Sequence, residues 1–250
     1  MPDEAAPPSA VPRHTQGDRR RLIYPSAFGT MGTPAFMSRV ELLQQLGPDT
    51  VMMMGDNPAL PPMPERPTLI DFFRLRFHPR AVNHLLQSAN LARKAGVDEK
   101  IVLACLLHDI AVAGFIGTDH GYWGEQLIAP YVDEEVGWAV RYHQALRFFP
   151  DESVGYGYPE AYLRYFGPDY VPPPYIHAEA KTARAHRWYM SARLITLYDV
   201  YAFDPNVVVS LDDFTDTIGR HFRQPADGLG FDGSPVAHMW RSIIWPNNFL

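Results

Sequence analysis

From Ile101 to Leu107 the chain is almost entirely apolar, and it then sets an imidazole and a carboxylate side by side at His108 and Asp109. A His-Asp dipeptide is expected about once from composition alone, so its setting at the end of a helical apolar stretch carries the information. Further candidate ligands follow a fixed order around it: His84 before the pair, then His120, His143 and Asp199. Four imidazoles and two carboxylates match the demand of two closely spaced transition metals.

The segments carrying these residues read as helices. Leu85 to Ala95 repeats apolar residues at helical spacing, Gly96 stops the pattern, and Asp98 can cap a second helix running to the pair. His84 and His108 are therefore expected to face each other across two antiparallel helices. Trp123, Leu127 and Ile128 follow His120, and Val136, Ala139, Val140 and Leu146 surround His143, so both histidines are expected on helices with buried faces. The longest helical pattern runs from His177 to Ala202 and holds Asp199. Asp204 competes with it, but only Asp199 lies inside the apolar helix, where an unpaired carboxylate would be costly to bury. His78, His177, His186, His221 and His238 read as surface or satisfied histidines, and Cys105 as a small core residue.

The rest of the chain divides by composition. Residues 1–21 are rich in Pro, Ala and charge and read as a disordered arm. Residues 22–66 read as a Pro/Gly-rich extension around one short helix near Ser38 to Leu46, and residues 67–250 as the metal-binding domain. Pro150 to Pro174 is irregular apart from a short helix starting at Pro159, and its tyrosines, among them Tyr156, Tyr158, Tyr162 and Tyr170, make it a candidate lid. The apolar tail around Trp240 is expected to pack on the core or on a neighbouring subunit, which leaves room for a homo-oligomer.

A length of 250 residues with 46% hydrophobic content suits one domain with a sizeable core. No apolar run approaches a membrane span, and a net charge of −6 argues against a nucleic-acid surface. One cysteine excludes an internal disulfide, which suits the cytoplasm.

The ligand order resembles the HD superfamily, in which a first His, an adjacent His-Asp and a distant Asp hold metal. Two extra histidines mark its bimetallic branch, and His120 and His143 fill those places. Within that branch Asp119 to Ile128, Val140 to Phe148 and Leu194 to Ala202 resemble the mixed-valence diiron oxygenases of the phosphonate-cleaving and inositol oxygenase type. The resemblance spans about Arg80 to Phe222. It implies an all-α HD-domain helical bundle of five core helices, with the irregular N-terminal extension and C-terminal tail added.

It also implies a scheme in which Asp109 bridges, His84, His108 and Asp199 complete one metal, and His120 and His143 bind the other. The implied cofactor is an Fe2+/Fe3+ pair, with Mn2+, Co2+ or Zn2+ for a phosphohydrolase or hydratase, the rival reading. The implied partners are dioxygen and a small substrate bearing a hydroxyl or amine. Val112 stands where relatives carry Lys or His, and Arg147 where the phosphonate enzymes tend to carry Lys. Asp109 and Arg147 are thus the expected catalytic residues, for a substrate with one polar end and an apolar part. A degenerate binding module is disfavoured because all six ligands are retained.

Overall fold

The structure, a computed structural model, describes residues 60–245. The arm over 1–21, the short helix near Ser38 and most of the 22–66 extension lie outside the described residues. What is described is all-α: no strand occurs among these residues, only an isolated bridge between Asp151 and Tyr156. No helix among them is long and apolar enough to cross a membrane.

The first helix, α1, covers Leu69–Leu75 and starts in a reciprocal capping box between Thr68 and Asp71. Helix α2 covers Pro79–Lys94, with Pro79 at its first position and His78 accepting a hydrogen bond from the Arg80 N–H. The chain leaves it through Gly96 at φ +71°, a left-handed conformation that a Cβ would strain. Asp98 then caps α3, Glu99–Leu107, by accepting from the Lys100 N–H at 2.8 Å. Ile101 through Leu107 are all buried, because this helix is apolar on every side and occupies the centre of the core.

Three helices then carry the rest of the site: α4 covers Ile110–Gly114, α5 covers His120–Ile128 and α6 covers Glu134–Leu146. Asp133 caps α6, with Glu134 and Glu135 in its first turn, where negative charge suits the helix dipole. α6 packs against both α3 and α5. It approaches α5 closely at Gly121, where an added Cβ would lie 2.5 Å from the Arg141 carbonyl oxygen.

A short helix, α7 (Glu160–Phe166), starts after Pro159 as its sequence suggests. The single helix expected from His177 to Ala202 is instead two, α8 (Pro174–Arg184) and α9 (Tyr189–Asp199). The break has a tertiary cause. His186 accepts the Trp188 N–H on Nδ1 and stacks on Trp138 of α6, ring centroids 4.3 Å apart, so the turn is pinned to a neighbouring helix.

α9 packs on α2, α3 and α6, and Arg193 joins it to the last of these. That guanidinium is fully buried and donates to the carbonyls of Leu146 and Phe149 at 3.2 and 3.0 Å, closing the C-terminal end of α6. A 3-10 turn, Leu211–Phe214, continues into α10, Thr215–His221. The last helix, α11, is Ala237–Ile244. Its Trp240 is fully buried, donates to the Leu127 carbonyl at 3.0 Å and meets Phe72 edge-on at 4.7 Å.

Candidate metal centre

Helices α2, α3, α5, α6 and α9 bring all six expected ligands to one place. His84 lies in the first half of α2, His108 caps the end of α3, His120 opens α5, His143 sits in the last turn of α6, and Asp199 ends α9. Asp109 occupies the step between α3 and α4 at φ −104°, ψ 22°, close to the sparsely populated bridge region where active-site residues recur. It stands at the N-cap of α4 but makes no capping hydrogen bond, so its carboxylate is left to the imidazoles.

The carboxylate divides them into two groups. Oδ2 faces His84 Nε2 at 3.7 Å and His108 Nε2 at 3.8 Å. Oδ1 faces His120 Nε2 at 3.2 Å and His143 Nε2 at 3.6 Å. Asp199 Oδ1 completes the first group, 3.2 Å from His84 Nε2 and 3.7 Å from His108 Nε2. Two sets of donor atoms are close enough to share one ion: His84 with His108 and Asp199, and His108 with Asp109 and His143.

The far sides of the rings fix their chemistry. His84 Nδ1 lies 3.0 Å from the Ala202 carbonyl, His108 Nδ1 lies 2.8 Å from the Cys105 carbonyl, and His143 Nδ1 bonds the Val140 carbonyl. A carbonyl only accepts, so each Nδ1 carries the proton, and in the neutral ring the Nε2 lone pair points inward. The Nε2 atoms of His84 and His108 lie 3.1 Å apart, a separation that a proton on one ring or a metal ion bound by both would satisfy. On the other side His120 Nε2 and His143 Nε2 are buried with no well-aligned hydrogen-bond partner among the described residues, and face only the Asp109 carboxylate. Orphaned nitrogens of this kind call for an explanation, and a ligand set for metal supplies one. The residues present therefore fit a pair of transition ions.

The electrostatics agree with two unlike halves. Burial pushes His120 down to about 3, Arg147 adding to the effect, and burial likewise lowers His143, so both rings stay neutral and available as ligands. Burial also opposes charge on His108, but Asp109 and Asp199 overcome it and raise that ring to about 9. Burial would raise both carboxyls, yet the histidines facing them hold Asp109 and Asp199 well below the usual carboxylate range.

Arg147 follows His143 by one turn and caps α6. Its guanidinium lies 4.9 Å from the centre of the Phe148 ring and 5.5 Å from that of Tyr162 on α7. Among the described residues its buried Nε has no hydrogen-bond partner. Tyr162 and its neighbours Tyr158, Phe166 and Tyr170 form a continuous aromatic group over Phe148, in the segment expected as a lid. Val112 is 42% exposed on α4, one turn after Asp109.

Several supporting residues carry no signal in the sequence. Gln87 is buried one turn after His84 and binds the backbone of Asp204 on both sides, donating to its carbonyl and accepting its N–H. That fixes the turn from which the Ala202 carbonyl orients His84, and Phe203 from the same turn stacks on the His84 ring at 4.2 Å. Asp204 itself accepts from the Asn206 N–H, so it is a turn residue and Asp199 the inward carboxylate. Gln144, beside His143, accepts the Gly121 N–H at 2.8 Å and ties the start of α5 to α6. His78, His186 and His221 are engaged elsewhere, the last with Glu99 at 3.0 Å.

Among curated proteins none matches the chain. Residues 81–158 match the family model described as the HD domain, a stretch that holds His84, His108, Asp109, His120 and His143 and ends before Asp199. An HD domain is therefore found at residues 81–158, within a superfamily of metal-dependent hydrolases and oxygenases, and its His84, His108, Asp109 and His143, together with Asp199 from beyond the matched stretch, form the groups that could hold metal.

Proposed function

We propose that this HD domain is a two-metal oxygenase that uses dioxygen to oxidise or cleave a small substrate chelated through a hydroxyl or amine. The observation that carries the reading is the division of Asp109, one oxygen toward His84 and His108 and the other toward His120 and His143. A single carboxylate placed this way would be shared by two ions, and the side with only two histidines would leave more room for substrate. An iron pair held there would supply redox equivalents for dioxygen and Lewis acidity for a coordinated substrate oxygen. Oxygen chemistry is favoured over hydrolysis by the resemblance of the segments around His120, His143 and Asp199 to diiron oxygenases.

The protein's own groups prepare the site. The carbonyls of Ala202, Cys105 and Val140 hold three rings in the tautomer that ligates, which removes the need for reorganisation when metal enters. Arg147, whose Nε has no hydrogen-bond partner among the described residues, would meet an oxyanion of the substrate, while Phe148 and Tyr162 would exclude water around that contact. The partners are dioxygen and a small molecule.

Anaerobically reconstituted iron protein, screened against hydroxy- and amino-substituted acids, should consume dioxygen only with its proper substrate and most rapidly when partly oxidised. Efficient phosphate-ester hydrolysis under strict anaerobiosis with manganese, cobalt or zinc would replace this reading with the hydrolytic one.

A further inference from the structure

His120 enters the site from an unusual turn. Asp119, immediately before it, is the only non-glycine residue among those described with positive φ, at +48°. An aspartate tolerates the left-handed region better than most residues, yet the conformation still costs free energy and persists where its surroundings impose it. Asp119 also stands at the N-cap of α5, where its carboxylate would normally accept from the helix's first N–H groups. It makes no such bond.

The cap is provided from elsewhere, because Gln144 of α6 accepts the Gly121 N–H. The Asp119 carboxylate is thereby released, and its Oδ1 accepts the hydroxyl of Tyr175 at 2.8 Å. Tyr175 is the second residue of α8, on the far side of the aromatic loop, and is 51% exposed. The turn presenting His120 is thus gripped on one side by a residue adjacent to His143 and on the other by α8, a helix with no ligand of its own. α8 in turn packs on α6, with Glu179 of α8 3.7 Å from Arg141 of α6.

We infer that Tyr175 and Asp119 act as a latch that sets the position of His120, so that docking of α8 governs how tightly the second metal of the proposed pair is held. This rests on the two-metal reading for its consequence but not for its geometry. Both are positioning residues, since neither reaches the centre. The latch also explains why the left-handed turn is retained: in this conformation Asp119 presents its carboxylate to α8 while His120 is aimed at Asp109.

Four substitutions separate the parts. Tyr175→Phe and Asp119→Gly remove the hydrogen bond and leave the left-handed turn accessible. Asp119→Asn keeps an acceptor and tolerates the turn. Asp119→Ala loses both. In full-length protein titrated with Mn2+, the second equivalent should bind about five-fold more weakly in Tyr175→Phe and Asp119→Gly, the equivalent of one hydrogen bond. The first equivalent should be unchanged. The double variant Asp119→Gly, Tyr175→Phe should fall no further than either single one, Asp119→Asn should restore binding, and Asp119→Ala should lose most.

A readout free of metal accompanies this. In metal-free protein with labelled histidine, Tyr175→Phe should displace the ring signals of His120, assigned through His120→Gln, more than those of the other ligands. Unmoved His120 signals in Tyr175→Phe and Asp119→Gly, with only the melting temperature lowered, would overturn the latch. A wild-type protein that took up no second ion would instead count against the two-metal reading, and the ring signals would still decide the latch.

Discussion

A partly buried carboxylate flanked by four imidazoles concentrates ionisable groups in an otherwise apolar core, and that concentration is what makes the centre recognisable residue by residue. The six residues that the structure brings together were legible in the sequence, because a histidine or aspartate on an apolar helical face stands out against its neighbours. Their supports were not. Ala202 and Cys105 act through backbone carbonyls, which any residue would offer, and Gln87, Gln144 and Tyr175 gain meaning only from residues distant in sequence. At this scale Arg147→Ala should raise KM or lower kcat on the order of tenfold, the size expected for one charge-assisted contact, while Val112→Ala should change little, since Val112 is 42% exposed. Steady-state kinetics on the native substrate checks both. Away from the site, Glu99 binds Arg220 and His221, and these hydrogen bonds hold its carboxyl down at about 2. Because its folded value is depressed, its contribution is present above the ordinary glutamate range and is lost as pH falls toward 2. The stability difference between wild type and Glu99→Gln, from denaturant titrations at several pH values, should therefore shrink as pH drops from 6 to 3.

Among the elements, the periodicity of apolar residues placed α2, α3, α5 and α6 correctly, since each buries a face that its own sequence defines. It failed where a neighbour decides. The segment from His177 to Asp199 keeps a helical pattern across the break, and only the stacking of His186 on Trp138 shows why the chain turns there. The close contact of α5 and α6 gives a direct test of how the centre is assembled. An alanine at Gly121 would put its Cβ 2.5 Å from a backbone oxygen of α6, and backbone cannot yield as a flexible side chain can. Gly121→Ala should cost about 1–3 kcal/mol and weaken binding of metal at His120 and His143 by separating their helices. Gly219, exposed in α10 with none of the described residues near its missing Cβ, supplies the control. There the same change should stabilise the protein by up to about 1 kcal/mol through helix propensity. Melting curves of the two variants should shift in opposite directions.

For the whole molecule, the all-α architecture and the convergence of five helices on one cluster follow from a core that the sequence announces: an apolar α3 at the centre, with the other elements covering it. The tail expected to pack on the core does so through Trp240. In the proposed centre Asp109 is the residue whose two carboxylate oxygens face the two groups of histidines. The most direct test is the metal content of anaerobically iron-reconstituted protein, compared between wild type, His120→Ala and Asp109→Ala, with circular dichroism confirming that each is folded. The wild type should hold two equivalents, His120→Ala close to one, and Asp109→Ala none held tightly. A folded wild type that never exceeds one equivalent, or an Asp109→Ala protein that still retains two, would contradict the bridging role of Asp109.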